Sequence, residues 1–251
     1  MNRDFVMTSN AQAFLSGYER LDARAASEKC FMTVEGEPGR GKTTVAEWFA
    51  VQHDLPFVRA KREWSSRWLL EDLLDCLASE PDRTFKEMYR QIVRRLALLT
   101  EAARREGRPY AVIVDEADHI VHSTKMMETI RDIADAVEVP FILVGMGKLS
   151  KALTRYKQIS SRVSAEVPFR PLVLEDTRKL TTTRADVEVA DDLVQHLHKA
   201  AGGFAREVVE GIGSIERVGR RLGRTVTLAD MEGHVLLQDR ATGKAVTVRA
   251  E

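Results

Sequence analysis

The segment GEPGRGKT, residues 36–43, has the residue types and spacing of a phosphate-binding loop, G-x-x-x-x-G-K-[ST]. Glycines let the backbone N–H groups of such a loop approach phosphate oxygens, and the following helix adds the positive end of its dipole. Lys42 is long enough to reach the β and γ phosphates, and the Thr43 hydroxyl suits Mg²⁺. The alternative is a tight glycine turn between a strand and a helix. The residues predicted to bind the nucleotide here are Gly36, Glu37, Pro38, Gly39, Arg40, Gly41, Lys42, Thr43 and Thr44.

A second group of chemically useful residues lies in AVIVDEAD, residues 111–118. The apolar run predicts a buried strand that carries Asp115 and Glu116 to its carboxyl end, where open α/β sheets place their ligands. Asp115 would hold Mg²⁺, and Glu116 would orient or deprotonate an attacking water. Taken alone, the acidic pair could instead cap the next helix. With the loop upstream, the pattern favours ATP and Mg²⁺ as ligands.

Short apolar runs alternate with amphipathic segments, which indicates an α/β fold with a parallel sheet and crossover helices. The continuously apolar runs YAVIV and FILV are typical of strands covered on both faces. Helical periodicity predicts helices over about 64–77 and about 84–106, the second ending at Gly107. Including these two apolar runs, the predicted strands lie at 30–36, 55–60, 110–116, 141–145 and 165–169.

The character of the chain changes after residue 172, because only helical patterns follow up to about residue 230. We predict a nucleotide-binding α/β domain over residues 1–172 with a short N-terminal helical segment. A small helical lid domain then covers 173–232. The tail, 233–251, has the pattern of a β-hairpin about DRATGK.

Composition excludes some classes of protein. The 251 residues include 38 basic and 38 acidic side chains, so no global positive field draws the chain to nucleic acid or membranes. No signal peptide or apolar run of membrane-spanning length is present in the sequence. Cys30 and Cys76 fit buried free thiols in a reducing compartment. We therefore expect a cytoplasmic protein that makes no membrane contact.

The phosphate loop, the paired DE strand, a further strand and a helical lid together resemble the AAA+ ATPase family. In ISSRVSAEVPFRPL, residues 159–172, Arg162 matches the arginine finger that such proteins present to a neighbouring subunit. That role contributes about 10³ to 10⁵ in rate. In AGGFAREV, residues 201–208, Arg206 matches the lid arginine that reaches the γ-phosphate. The resemblance implies a P-loop AAA+ core with a parallel sheet flanked by helices, a small helical lid, and ATPase activity.

One position departs from the family pattern. The family places a polar sensor residue after the strand that follows the DE strand, where this chain reads FILVGMGKL. A thioether orients the attacking water poorly. Because Met146 occupies this position, we expect slow ATP hydrolysis.

Within AAA+ proteins, VDEADHI, METIRDIAD, VPFILVGMGKL and GGFAREV are similar to the transposition ATPases of the phage Mu B-protein type. The resemblance implies a homo-oligomer, filament or ring, assembled on double-stranded DNA with ATP. It also implies that the chain selects and delivers target DNA to a DDE transposase and activates it, with DNA-stimulated hydrolysis of its own ATP. The first predicted strand begins at Cys30, so we expect no separate N-terminal helix-turn-helix domain.

Because the net charge is zero, DNA contacts must be local. The best candidate is VRAKREWSSRW, residues 58–68, whose position resembles the DNA-tracking loop of the family. Its cations and hydroxyls suit contact with the DNA backbone without base reading. The alternative is a solvated loop that two tryptophans anchor to the core. The predicted DNA-binding residues are Arg59, Lys61, Arg62 and Arg67.

Two other functions remain open at this stage. A helicase loader or replication initiator would share the ATPase and DNA binding and differ in its partner. A P-loop kinase or scaffold would not bind DNA and would need no arginine from a neighbouring subunit.

Overall fold

The computed structural model describes residues 1–2 and 4–249. These residues form a central five-stranded sheet in which every pairing is parallel. The strand order is β2-β3-β4-β1-β5. The strands of this sheet are β1 Phe31–Glu35, β2 Phe57–Arg59, β3 Val112–Asp115, β4 Phe141–Gly145 and β5 Val163–Pro168.

Helices connect the strands of the sheet along the chain, as parallel strands require. The α-helices are α1 Ser9–Asp22, α2 Lys42–His53, α3 Ser66–Cys76, α4 Phe85–Glu106, α5 Thr124–Val137, α6 Leu149–Leu153, α7 Lys157–Ser160, α8 Leu174–Arg184, α9 Asp191–Ala201 and α10 Ala205–Leu222. Short 3₁₀ turns cover Ala117–His119 and Ala229–Met231.

The sheet belongs to a compact unit made of residues 13–37 and 42–169. Its inner strands β3 and β4 are buried at every position, as their continuous apolar runs predicted. Burial of such side chains contributes about 25 cal/mol for each Å² of apolar surface removed from water. The α/β class with a parallel sheet, predicted from the sequence, is confirmed.

Local sequence signals set the bounds of α4. Thr84 accepts the backbone N–H of Glu87, and the Glu87 carboxylate accepts the Thr84 N–H in return, which completes a capping box. Gly107 ends the helix in the left-handed conformation, with φ of 64°. The predicted helix over 84–106 is therefore confirmed.

A second compact unit comprises residues 1–12, 38–41 and 170–251, of which 3, 250 and 251 lie outside the described residues. Helices α8, α9 and α10 pack around a core that includes Leu197, Ile212 and Val226. Two further strands, β6 Val235–Gln238 and β7 Ala245–Thr247, pair antiparallel. The hairpin predicted about DRATGK is thus present, and its side chains Leu236, Leu237 and Val248 are buried in the same core.

Some details differ from the sequence expectations. Strand β5 begins at Val163, two residues before the predicted start. Cys30 is buried, but Cys76 is exposed at the end of α3, so the prediction of two buried thiols is wrong for Cys76. Burial raises the pKa of the Cys30 thiol to about 11.

Within residues 1–2 and 4–249, none of the helices combines the length and the apolar character that a membrane-spanning segment requires.

Two glycines of α10 provide a matched test of packing in the second unit. A methyl group at Gly219 would lie 2.6 Å from Val226 Cγ2 and 2.9 Å from Val187 Cγ2, both on stiff β-branched side chains. Gly219→Ala should therefore lower the free energy of unfolding by about 1–3 kcal/mol, measured by urea denaturation.

The control is Gly213→Ala, whose methyl group would meet no described atom within 4 Å. It should be neutral or should stabilise the helix by up to about 1 kcal/mol. Equal effects of the two substitutions would contradict the close packing at Gly219.

Candidate nucleotide-binding site

The phosphate-loop segment leaves the carboxyl end of β1 and enters α2. Gly36 comes first, and a Cβ there would lie 2.8 Å from the carbonyl oxygen of Phe169, so this position requires glycine. Gly39 and Gly41 both have φ of +87°, a conformation that side chains other than glycine rarely adopt. The glycine spacing noted in the sequence therefore reflects one close approach and two left-handed turns.

Lys42 is the first residue of α2, and its side chain folds back along the segment that precedes it. Its Nζ donates to the carbonyl oxygen of Gly36 at 2.7 Å and to that of Glu37 at 3.0 Å. The ammonium group is thereby held close to the loop backbone at the start of the helix. Thr44 follows Thr43 in the first turn of the same helix.

Thr43 and Asp115 meet at the carboxyl edge of the sheet. The Thr43 hydroxyl donates to Asp115 Oδ2 at 3.0 Å. Asp115 is the last residue of β3 and only 2% exposed. A buried carboxylate needs hydrogen bonds or an opposite charge, and Arg59 Nε lies 3.4 Å from the same oxygen. The structure therefore brings together two of the residues predicted to hold a metal.

Glu116 follows Asp115 with φ of 53°, a left-handed conformation that is uncommon outside glycine and that clusters at functional sites. Its carboxylate is half-exposed and lies 3.2 Å from His119 Nε2. The buried and the exposed member of the acidic pair are thus separated by one sharp turn of the backbone.

Met146 lies directly after β4, and its side chain is half-exposed. Its backbone N–H donates to Asp118 Oδ2 at 2.5 Å. The same carboxylate lies against Gly145, where a Cβ would be 2.6 Å from Oδ2. Asp118 thereby fixes the backbone at the position where the sequence lacks a polar sensor side chain.

The second unit holds residues 38–41 of the loop beside the start of α10. The backbone N–H of Arg206 donates to the carbonyl oxygen of Gly39 at 3.2 Å, which satisfies one of the unpaired N–H groups of the helix terminus. Arg40 is buried, and its Nη1 donates to the carbonyl oxygen of Gly203 at 3.1 Å. The Arg206 side chain is exposed, and its contact with a γ-phosphate remains a prediction.

Arg162 lies at the amino ends of the strands, whereas the loop lies at their carboxyl ends. It directly precedes β5, and its carbonyl oxygen accepts the N–H of Phe31, the first residue of β1. Four residue steps of β1 separate Phe31 from the end of that strand, about 13 Å. Asp135 binds the Arg162 guanidinium with two hydrogen bonds of 2.9 and 3.0 Å, and this pairing raises the pKa of Arg162.

The cations predicted to contact DNA have different surroundings. Arg59 ends β2 and pairs with Glu47 at 3.0 Å as well as lying near Asp115. Lys61 pairs with Asp72 at 2.5 Å, and Arg67 pairs with Glu71 at 2.8 Å. In the described part of the chain, Arg62 is the member of this set for which the structure gives no ion pair.

Asp72 also organises the two tryptophans of this segment. The indole N–H of Trp64 donates to Asp72 Oδ2 at 2.9 Å, and that of Trp68 donates to Oδ1 at 3.0 Å. Trp64 is buried, whereas Trp68 is 38% exposed. Trp64 therefore anchors the segment to the core, and the indole ring of Trp68 is partly exposed to solvent.

Sequence reasoning missed several polar partners of these residues. Arg59 as the counter-charge of Asp115 follows from the pairing of β2 with β3, which sets the two residues side by side. Asp135 and Asp118 lie far in sequence from Arg162 and Met146. No local pattern in the sequence points to either pairing.

The donor set at Thr43 and Asp115 fits Mg²⁺. Both are oxygen ligands, and Mg²⁺ in nucleotide sites takes one or two protein oxygens with phosphates and waters. Within residues 1–2 and 4–249, no group of three or more His, Cys, Asp or Glu side chains is arranged to hold a metal by itself. A metal here would therefore need further ligands from phosphate and water.

A sequence profile described as the AAA domain matches residues 24–153, just over half of the chain. This match includes β1 to β4, the phosphate loop and the acidic pair. The search of curated proteins by sequence gave no match.

Solved structures of similar fold include three proteins from two organisms. The Aeropyrum pernix ORC2 protein, solved as ADPNP-ADP complexes, has a TM-score of 0.64 and 14% identity, over 89% of this chain and 66% of that one. The Aeropyrum pernix ORC1 protein in complex with DNA has a TM-score of 0.59 and 17% identity, over 86% and 62%. The Thermotoga maritima RuvB Holliday junction branch migration motor has a TM-score of 0.56 and 16% identity, over 88% and 65%.

The chain therefore spans slightly less than two thirds of the length of each of these proteins. At these identities the likeness concerns the fold.

Proposed function

We propose that this chain, which belongs to the AAA domain family, binds ATP with Mg²⁺ and hydrolyses it while assembled with copies of itself on duplex DNA. The observation that carries the proposal is the hydrogen bond between Thr43 and the buried Asp115 beside Lys42. These are the groups that a phosphate loop and a metal-binding strand must bring together.

Lys42 is the residue that would meet the phosphates. Its ammonium group now binds two backbone carbonyls of the loop, and such neutral acceptors are weaker partners for a cation than phosphate oxygens. Mg²⁺ would neutralise charge on the phosphates when it is bound. Thr43 and Asp115 would hold the metal ion through their side-chain oxygens. Arg59 would then keep its ion pair with Glu47 and give up its contact with Asp115.

Glu116 is the proposed general base. Its carboxylate is half-exposed, so a water can reach it, whereas Asp115 is enclosed. The left-handed turn between the two residues aims their side chains differently, which suits one for the metal and the other for the water.

Arg162 would act on the nucleotide of a neighbouring copy. It lies about a strand length from the phosphate loop of its own chain, which is further than an arginine side chain extends. The exposed surface around its pair with Asp135 would then form part of a subunit junction. To act as a finger, Arg162 would exchange Asp135 for the transferring phosphoryl group.

Two substitutions test the nucleotide site. Lys42→Ala should abolish ATP binding, measured by isothermal titration calorimetry, because the loop loses the ammonium group that the motif places on the β and γ phosphates. Glu116→Gln should bind ATP normally and lose hydrolysis by a factor of about 10² or more, because the water loses its base.

Lys125→Ala, which removes an exposed lysine from α5, is the matched control and should behave as the parent protein. Normal ATP affinity in Lys42→Ala would refute the loop assignment. Hydrolysis at the parental rate in Glu116→Gln would remove Glu116 as the base.

The proposal of DNA binding rests on the segment 58–68. Its ion pairs are exposed, and exposed pairs contribute at most about 1 kcal/mol, so phosphate oxygens can replace their carboxylates at little cost. Structures of similar fold include one in complex with DNA and one of a Holliday junction motor, which supports duplex DNA as the partner class.

Arg62→Glu is the sharpest test of this segment, because it reverses an exposed charge that breaks no described ion pair. Binding to a duplex of arbitrary sequence should weaken, and the salt dependence should fall by about one phosphate contact per protomer. Fluorescence anisotropy at several salt concentrations measures both quantities.

The charge-matched control is Lys199→Glu on α9, which should leave DNA affinity within about twofold because it lies outside this segment. ATP affinity should be unchanged in both variants. A DNA affinity of Arg62→Glu equal to that of the control would exclude the segment.

For the biological role, we propose selection and delivery of target DNA to a DDE transposase, which rests on the resemblance to the Mu B-type proteins. A second role, helicase loader or replication initiator, is favoured by the likeness of the fold to the ORC1 and ORC2 proteins. The partner separates the two: stable ATP-dependent association with a DDE recombinase supports the first, and association with a replicative helicase supports the second.

A further inference from the structure

We propose that Arg240, at the turn of the C-terminal hairpin, is a positioning residue for the phosphate loop. Its Nη1 donates to the carbonyl oxygen of Pro38 at 2.9 Å, although 202 positions separate the two residues. The inference rests on the proposed nucleotide binding and adds a residue from a part of the chain that none of the nucleotide-site motifs includes.

Stacking reinforces this hydrogen bond. The guanidinium carbons of Arg240 and Arg40 lie 4.1 and 3.7 Å from the centroid of the Phe204 ring. Two guanidinium groups so close to one centroid cannot share a face, so the ring lies between them. A cation over the face of an aromatic ring is attracted by the negative charge of that face. Phe204 is the N-cap residue directly before α10, so the stack joins the loop, the start of the helix and the hairpin.

The hairpin presents Arg240 rigidly. The Asp239 carboxylate accepts hydrogen bonds from the N–H groups of Ala241 and Thr242 and from the Thr242 hydroxyl, which lower the pKa of Asp239. The strands on either side are fixed to the core of the second unit by buried Leu236, Leu237 and Val248. Little ordering of Arg240 is therefore needed when the loop is occupied.

The position of the two loop carbonyls decides where the loop amides point. In a planar trans peptide, the C=O and the next N–H point in opposite directions. Arg240 holds the carbonyl of Pro38, and the N–H of Arg206 holds that of Gly39. The N–H groups of Gly39 and Arg40 therefore point away from these donors. A phosphate-binding loop needs its amide groups turned outward in this way before the ligand arrives.

The test compares Arg240→Ala with Lys244→Ala, which removes another exposed cation from the same turn and breaks no described side-chain contact. ADP affinity is measured by calorimetry, and amide hydrogen exchange is measured across the protein. Arg240→Ala should weaken ADP binding roughly five- to tenfold, as expected for one charged hydrogen bond at an exposed site. In the ADP-bound protein it should also speed exchange at Gly39 and Arg40, while the hairpin amides between 235 and 247 stay protected. Arg240→Lys, which keeps a donor and loses the planar stack, should be intermediate.

ADP affinity and loop exchange equal to those of Lys244→Ala would overturn the proposal. Loss of protection in the hairpin itself would also overturn it, because Arg240 would then serve only to fold the hairpin. If the parent protein binds no ADP, the proposed function fails first. If the parent binds ADP and Lys42→Ala does not, a null result at Arg240 rejects this inference alone.

Discussion

The hydrogen bond between Thr43 and Asp115 is the interaction on which the candidate site depends. It joins the helix that follows β1 to the end of β3, although β4 lies between these two strands in the sheet. Parallel strands make this possible, because all of them end at the same edge. The cost of enclosing the Asp115 carboxylate is offset by the Thr43 hydroxyl and the Arg59 guanidinium. A neutral hydroxyl and an exchangeable cation are partners that a metal ion can displace.

The same parallel geometry separates Arg162 from the phosphate loop of its own chain by about the length of a strand. Arg162 lies at the amino end of β5, whereas the phosphate loop follows the carboxyl end of the neighbouring strand β1. A single copy therefore holds both halves of the proposed catalytic centre but cannot bring them together. Dependence of hydrolysis on assembly would then be a direct consequence of strand direction, and nucleotide occupancy would be coupled to contact between copies.

The sequence predicted the parts of the structure that local rules determine. Continuous apolar runs located β3 and β4, and the capping residues Thr84 and Gly107 bounded α4. The loop was recognisable because the glycine positions follow from close approach and positive φ. Contacts set by tertiary structure were not predictable. The strand order places Arg59 beside Asp115, and the fold pairs Arg162 with Asp135 and Arg240 with Pro38. Each of these pairs joins residues whose separation in sequence carries no periodic signal.

Mixing two inactive variants tests the shared site most directly. Glu116→Gln lacks the base but supplies Arg162, and Arg162→Ala lacks the finger but supplies Glu116. ATP hydrolysis is measured for each variant alone and for equal mixtures in the presence of duplex DNA. A site built from two copies predicts that the mixture regains a substantial part of the parental rate, because some junctions then contain both residues. A mixture no more active than the separate variants, with both variants bound in common assemblies, would contradict the account.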